Sequence, residues 1–270
     1  MLVRFARHFL LALQFFTRVP VTGRLAQWVG YSPAMLRASA AHFPGVGWVV
    51  GGLTAAVLGA CLAWLPALPA SAWVAVVFST AFSVLLTGAF HEDGLADTAD
   101  GLGGALSRER ALEIMKDSRI GTYGAMALLL ALLGKLGLLV LLVQIDASWA
   151  VVGVFAAHVT SRLMPLFLIR TLVHVGDTPQ SKSKPLAEQI ELSGVGVGLL
   201  WWGGAMVLAG SCLPALALFL ACLAASLAAL GMAWRLLRRL QGFTGDGLGA
   251  TQQLAEIGFY LGLVLASGAA

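Results

Sequence analysis

The chain contains six apolar runs that are each long enough to cross the hydrocarbon core of a bilayer, which is about 30 Å thick. They cover residues 44–66, 68–90, 124–143, 148–169, 193–212 and 214–234. Hydrophobic residues make up 59% of the chain and charged residues only 11%, which is more apolar side chain than one soluble domain can bury. A weaker run near 250–268 is either a seventh span or a half-buried helix packed on the bundle. The sequence therefore predicts an all-α, polytopic integral membrane helix bundle with six to seven transmembrane helices, forming a single domain over residues 1–270.

Residues 1–20 are predicted to form an additional amphipathic helix that lies in the membrane interface. Its polar side chains share an arc of about 120° on a helical wheel, while Phe and Leu fill the rest. These polar residues are Arg4, Arg7, His8, Gln14 and Arg18. A signal peptide is the alternative, but no small-x-small cleavage site follows before Arg18 and Pro20. We therefore favour a retained interfacial helix.

The distribution of basic residues predicts the orientation of the chain. All but two of the 17 Lys and Arg residues lie in four segments, which are 1–43, 91–123, 170–191 and 235–247. The alternate connections contain none, so the positive-inside rule places the amino terminus and all four segments in the cytoplasm. The basic residues form no platform with aromatic side chains, and we predict no nucleic-acid partner. The three cysteines lie within apolar runs and are interpreted as core residues.

An acidic stretch at residues 91–104, HEDGLADTADGLGG, interrupts this apolar chain. On a helix, Asp93, Asp97 and Asp100 fall within about 60° of one another on one face. Like charges at this spacing destabilise a helix unless a cation lies between them, and carboxylate oxygens suit Mg²⁺. We therefore predict a Mg²⁺ site formed by these three residues. A solvated acidic loop is the alternative, because Asp and Gly are common turn residues.

A basic stretch follows at residues 107–124, SRERALEIMKDSRIGTYG. Ser107 is predicted to cap a short helix that ends near Asp117 or Ser118. Arginine side chains match phosphate oxygens in geometry, so carboxylates and basic residues together indicate a site for Mg²⁺ and phosphate, as phosphoryl transfer requires. The candidate phosphate contacts are Arg110, Lys116 and Arg119. Their alternative role is anchoring at the cytoplasmic surface, and residues 91–123 are the predicted active-site segment.

The other two basic residues, Lys135 and Arg162, lie inside predicted spans, where a charge costs roughly 2.5–3.5 kcal/mol. Arg162 follows His158 by one turn, so a polar stripe is predicted to face the interior of the bundle or a water-filled cavity, and Arg162 is a candidate substrate contact. Lys135 either pairs within the bundle or has a direct role.

A second polar segment, GFTGDGLGATQQLAEIG, occupies residues 242–258. Gly-rich backbone can approach a ligand closely. Asp246 is therefore predicted to complete the metal site or to bind a ribose hydroxyl, and Glu256 to face the same cavity. The alternative is a turn with a helix cap at Thr244 or Asp246.

The acidic pattern alone also occurs in prenyltransferases and CDP-alcohol phosphotransferases. Its combination with ALEIMKDSRIGTYG, GFTGDGLGA, LALQFFTRVPV and FPGVGWVVG resembles the cobalamin synthase family, whose activity is that of an adenosylcobinamide-GDP ribazoletransferase. The resemblance extends from about residue 10 to 257 and is loose over residues 170–241, so it assigns no role to Arg170 or Lys184.

This resemblance implies a multi-pass enzyme of the bacterial inner (cytoplasmic) membrane. It would join adenosylcobinamide-GDP to α-ribazole or its 5′-phosphate, with Mg²⁺, and release GMP. In that reaction Asp93, Asp97 and Asp100 would bind Mg²⁺, and Glu92 or Asp117 would be the general base. The alternatives are a CDP-alcohol-type membrane phosphotransferase and a membrane transporter. The sequence leaves open the preferred lower base and whether the chain forms a homo-oligomer.

Overall fold

The computed structural model describes residues 2–176 and 190–268, which form helices joined by short turns. The described α-helices are α1 (Leu2–Phe16), α2 (Gly23–Val29), α3 (Pro33–Ser39), α4 (Phe43–Trp64), α5 (Pro69–Thr87), α6 (Phe90–Gly104), α7 (Arg108–Ile114), α8 (Thr122–Ile145), α9 (Ala147–Thr171), α10 (Leu192–Ala209), α11 (Ala215–Leu240) and α12 (Gly245–Ser267). A 3₁₀ turn (Ala40–His42) joins α3 to α4. Arg170 is exposed at the end of α9, whereas Lys182 and Lys184 lie outside the described residues.

Six helical segments of the described chain are long and apolar enough to cross a membrane. They are Pro33–Trp64, which joins α3 and α4, together with α5, α8, α9, α10 and α11. These segments confirm the six predicted apolar runs and the all-α, polytopic membrane fold. The first segment is longer than predicted because Ser32 caps α3, accepting a hydrogen bond from the Met35 backbone N–H at 3.1 Å.

Helix α12 is not among the six membrane-spanning candidates and lies inside the bundle, packed against α6, α8, α9 and α11. Its polar residues Gln252, Gln253 and Glu256 are at most 4% exposed, so α12 is buried more deeply than the predicted half-buried helix. The helix begins at Gly245 because the Thr244 hydroxyl accepts a hydrogen bond from the Gly247 backbone N–H at 3.0 Å. The predicted helix cap at Thr244 is thus confirmed.

Helices α1 and α7 are both shorter than predicted. Helix α1 ends at Phe16, and its apolar face packs against α3 and α4, while its position in a membrane interface stays a prediction. The Ser107 side chain caps α7 as predicted, accepting from the Arg110 backbone N–H at 3.2 Å. Helix α7 then ends at Ile114 instead of near Asp117.

The acidic stretch forms its own helix, α6, which is separated from α5 by a sharp break. Gly88 and Ala89 both have positive φ angles, 66° and 59°, which end α5 and redirect the chain. Such a conformation is uncommon for alanine. The segment is helical, so the predicted helix is confirmed and the alternative of a solvated loop is wrong.

The backbones of α6 and α12 touch where the two helices cross. A Cβ atom on Gly94 would lie 2.8 Å from the Asp246 carbonyl oxygen and 3.3 Å from the Gly249 Cα. Small residues permit this kind of close helix packing in membrane proteins. The contact brings the acidic segment against the second polar segment.

Substitution of Gly94 by alanine should destabilise the fold. The new Cβ would displace backbone at the crossing, and we expect a loss of about 1–3 kcal/mol in the free energy of unfolding. The measurement is denaturation of the purified protein in detergent by increasing SDS. Gly137→Ala in α8 is the matched control, because its Cβ would meet nothing within 4 Å. Equal stability of the two variants would contradict the close contact.

Candidate active site

The crossing of α6 and α12 brings three carboxylates together. Asp93 and Asp97 flank Gly94 on α6, and Asp246 lies in the first turn of α12. Burial and repulsion from Asp246, Asp93 and Asp100 raise the pKa of Asp97 to about 7. Burial and repulsion from Asp93 raise the pKa of Asp246 to about 6. The structure therefore brings Asp246 near Asp93 and Asp97, while its role in a metal site or in binding a ribose hydroxyl stays a prediction.

This carboxylate cluster has the donor atoms for a divalent cation. In the described residues, no group of three or more His, Cys, Asp or Glu side chains is arranged to hold a metal by itself. Mg²⁺, however, is usually held by one or two carboxylates together with waters and substrate phosphates. Asp93, Asp97 and Asp246 fit that chemistry and are the residues that could hold the ion.

Asp100 is placed differently from the other two predicted metal ligands. Its Oδ2 accepts a hydrogen bond from the Gly121 backbone N–H at 2.7 Å, and its Oδ1 accepts from the Gly124 N–H at 2.8 Å. These N–H groups lie at the start of α8, where the backbone N–H groups of a helix have no carbonyl partner within the helix itself. These hydrogen bonds hold α6 against α8, and the predicted Mg²⁺ contact of Asp100 stays a prediction.

The two candidate bases differ in their surroundings. Glu92 Oε1 accepts a hydrogen bond from Gln253 at 3.1 Å, and its Oε2 is buried with no hydrogen-bond partner among the described residues. Asp117 instead forms an ion pair with Arg119 at 2.6 Å. Hydrogen bonds from Arg119 lower the pKa of Asp117 to about 2, which makes it a poor proton acceptor at neutral pH. Glu92 is therefore the better candidate.

The predicted phosphate contacts of the basic stretch lie at the surface. Arg110 pairs with Glu113 at 2.6 Å, and its side chain is 60% exposed. The Arg119 side chain is 87% exposed. Lys116, between them in sequence, is also exposed. The structure does not bring Arg110 or Arg119 into the carboxylate cluster, and their phosphate role stays a prediction.

Arg162 lies inside the bundle, as its polar stripe predicted. It is 4% exposed, and its NH1 lies 3.0 Å from both the carbonyl oxygen and the Nδ1 of His158. Its Nε has no hydrogen-bond partner in the described part of the chain. Arg162 and Gln252 line one pocket together with Gly249, so the guanidinium lies close to the crossing of α6 and α12.

A buried polar network connects the centre of the bundle to Glu92. Lys135 forms an ion pair with Glu256 at 2.6 Å, which supports the prediction of pairing within the bundle. Glu256 also accepts hydrogen bonds from Tyr260 at 3.1 Å and Gln252 at 2.8 Å. Gln253 donates to Gln252 at 3.0 Å and to Glu92.

The sequence analysis did not identify two parts of this network, Gln253 and Tyr260. A signal was present for Tyr260, because Gln252, Glu256 and Tyr260 recur every four residues and so share one face of α12. No local signal distinguishes Gln253, whose contact with Glu92 spans the two polar segments.

Removal of the charge on Lys135 should strongly destabilise the protein. Lys135→Met would leave the Glu256 carboxylate buried without its cation, at a cost of about 3–5 kcal/mol in the free energy of unfolding. The double variant Lys135→Met/Glu256→Gln should recover part of this loss, since the ion pair is then removed as a whole and the Glu256 carboxylate is no longer buried without Lys135. SDS denaturation of both variants measures the coupling. Additive losses would show that the pair contributes no specific interaction.

The raised pKa values of Asp97 and Asp246 predict a pH dependence of stability. Folding raises both above the ordinary value of 3.8, so the folded chain holds these protons more tightly than the unfolded chain. These groups therefore favour the folded state at low pH, and that contribution is lost as the pH rises towards 7. In EDTA, the melting temperature should be lower at pH 8 than at pH 5.5.

Two variants isolate the contribution of the cluster to this pH dependence. Asp97→Asn should reduce the difference in melting temperature, because the remaining carboxylates lose a repelling neighbour. Glu109→Gln, which removes an exposed carboxylate on α7, should leave it unchanged. An identical pH profile in wild type and Asp97→Asn would contradict the assignment.

Comparison with known proteins shows similarity over nearly the whole chain. A family model described as cobalamin-5-phosphate synthase matches residues 8–264, which extend from α1 into α12. A protein named adenosylcobinamide-GDP ribazoletransferase from Polaromonas sp. (strain JS666) is 57% identical, over 97% of this chain and 98% of the relative. Proteins of the same name from Albidiferax ferrireducens and Vibrio cholerae are 55% and 44% identical, covering 97% and 94% of this chain and 99% and 91% of the relatives. No solved structure matches this chain.

Proposed function

Because the chain belongs to the cobalamin-5-phosphate synthase family, whose named relatives are transferases, we propose that it joins α-ribazole or its 5′-phosphate to adenosylcobinamide-GDP. The reaction releases GMP, depends on Mg²⁺, and takes place on the cytoplasmic side of a bacterial inner membrane. The named relatives support the enzyme class. We propose in addition the form of the ribazole substrate, the dependence on Mg²⁺, the orientation in the membrane and the roles of the residues.

One observation carries the residue assignment: the backbone contact at Gly94 places Asp93 and Asp97 beside Asp246. Three carboxylates that repel one another form an anionic site that attracts a divalent cation, and a cation bound there attracts a diphosphate. Mg²⁺ would supply charge neutralisation of the diphosphate at this site. Arg110, Lys116 and Arg119 lie in the exposed segment that follows and are proposed to bind phosphate oxygens of the departing GMP.

The chemistry requires one bond to form and one to break. A ribose hydroxyl oxygen of the ribazole bonds to the phosphorus attached to the cobinamide arm, and the bond from that phosphorus to the bridging oxygen breaks, so that GMP leaves. The hydroxyl proton passes to a base, for which we propose Glu92, whose buried Oε2 has no hydrogen-bond partner among the described residues. Gln253 orients that carboxylate by donating to its other oxygen.

Loss of the Asp97 carboxylate should raise the requirement for Mg²⁺. Asp97→Asn removes a proposed ligand, and we expect the Mg²⁺ concentration for half-maximal rate to rise at least about tenfold. Asp100→Asn should instead lower the melting temperature and leave this concentration almost unchanged, because Asp100 fixes α6 to α8. Full turnover by Asp97→Asn at the Mg²⁺ concentration used for wild type would make the metal assignment wrong.

The activity itself is tested by nucleotide release in liposomes. Purified protein receives adenosylcobinamide-GDP and α-ribazole 5′-phosphate, with Mg²⁺ or with EDTA, and the nucleotide product is identified by chromatography. We expect GMP only when both substrates and Mg²⁺ are present. Equal GMP release in EDTA would overturn the metal dependence. CMP release from a CDP-linked alcohol, or substrate uptake without cleavage, would instead support the phosphotransferase or transporter alternatives.

A further inference from the structure

An open groove on the outside of the bundle has basic residues at one end and apolar walls along the rest of its length. It lies between α6, α8, α11 and α12 and has a volume of about 820 Å³. Its apolar walls come from all four helices and include Leu95, Leu102, Ala127, Leu130, Met232 and Ile257. Its basic residues are Arg235, Arg238 and Arg239 from the last two turns of α11. We call it the arginine groove.

The arginines and the apolar walls lie at different depths in the bundle. The Arg239 guanidinium donates to the Ala105 carbonyl at 2.5 Å, just after the end of α6. At this same end, a Cβ on Gly103 would lie 2.6 Å from the ring of Tyr123, near the start of α8. Ala131, which also lines the groove, follows Tyr123 by eight residues. At 1.5 Å per helical residue, the apolar part therefore extends about 12 Å away from the arginine end.

The arginine groove opens onto the surface that α8 and α11 would present to a bilayer. Both helices are long and apolar enough to span a membrane. Leu130 and Trp234 line the groove and are 63% and 57% exposed. The Arg238 guanidinium lies 5.3 Å from the centre of the Trp234 ring, and Tyr123 at the same end is 57% exposed. Exposed Trp and Tyr concentrate where lipid headgroups meet hydrocarbon, so the arginine end lies at headgroup level and the apolar walls at the depth of the acyl chains.

The charge of the groove is positive only. None of the described residues that line it is Asp or Glu. Leu95 and Leu102 of α6 face the groove, and at 100° per residue they lie roughly 150° around the helix from Asp97. The acidic face of α6 therefore points elsewhere. Three guanidinium groups without a carboxylate among them attract an anion and repel a cation.

We infer that the arginine groove binds an anionic phospholipid of the membrane, with its phosphate at Arg235 and Arg238 and an acyl chain along the apolar walls. Basic pockets between membrane helices bind anionic headgroups in this way, and guanidinium groups match phosphate oxygens in geometry. A soluble phosphate would leave the apolar walls uncovered, and a choline headgroup would bring a cation to the arginines. The inference goes beyond the proposed reaction and does not depend on it.

The first test measures lipid binding to the purified protein in detergent by native mass spectrometry. Phosphatidylglycerol and phosphatidylcholine with identical acyl chains are compared, and wild type should bind the anionic lipid at least about tenfold more tightly. Arg235→Gln/Arg238→Gln should reduce this preference at least about fivefold. Arg4→Gln/Arg24→Gln, which removes two exposed arginines from α1 and α2, is the matched control and should retain it. An equal reduction in the control would overturn the location of the site.

The second test fills the apolar part of the groove and leaves its charge unchanged. Ala127→Trp places an indole ring where the acyl chain is expected, so the Kd for phosphatidylglycerol should rise at least about fivefold. Ala125→Trp is the matched control, because Ala125 is exposed on the same helix and lies outside the groove. A wild-type Kd in Ala127→Trp would overturn the placement of the acyl chain.

Competition with inorganic diphosphate distinguishes a lipid site from a site for a soluble phosphate. Phosphatidylglycerol should stay bound in a large excess of diphosphate, because the acyl chain contributes to its binding. Displacement by diphosphate, or equal affinity of wild type for the two lipids, would overturn the inference without requiring any variant to fold. A lack of GMP release would overturn only the proposed function, since the readout here is lipid binding.

Discussion

The polar side chains of α12 cannot face hydrocarbon, and the arrangement of the bundle follows from this constraint. Within a bilayer an unpaired charge costs several kcal/mol, so Glu256 must find a cation and the neighbouring amides must find partners. Lys135, Tyr260 and Gln252 supply them. Because the contacting helices α8 and α9 are themselves spans, α12 is surrounded by protein and lies at the centre.

The same constraint connects the centre of the bundle to the candidate site. Gln252 and Gln253 extend the network from Glu256 to Glu92 through successive hydrogen bonds. A helix held at this many points has little freedom to rotate or slide. Its first turn, with Asp246, therefore stays in contact with α6, where the carboxylates of Asp93 and Asp97 repel it. Packing thus holds together charges that would otherwise separate, and the proposed Mg²⁺ would relieve this repulsion.

The sequence predicts best those features that depend on nearby residues. The six spans follow from local hydropathy, and α6 follows from carboxylates spaced by three and four residues. The hydrogen bonds of Asp100 could not be predicted, because its partners Gly121 and Gly124 lie in the next polar segment and meet it only after the chain has passed through α7. The partner of Lys135 was hidden for the same reason. Hydropathy indicates that a buried charge needs a partner, but only the fold shows that the partner is Glu256.

Lys135, Arg110, Arg119 and Arg162 differ in their freedom to bind substrate. Lys135 is committed to Glu256, and breaking a buried pair is expensive. Arg110 and Arg119 form pairs with neighbouring carboxylates at the surface, and exposed pairs contribute little to stability. They can exchange those carboxylates for a diphosphate at little cost. Arg162 differs from all three, since it is buried and its Nε has no hydrogen-bond partner among the described residues. The exposed arginines are thus suited to a charged group that enters and leaves through water, whereas any ligand of Arg162 would have to lose its hydration before it reached the guanidinium.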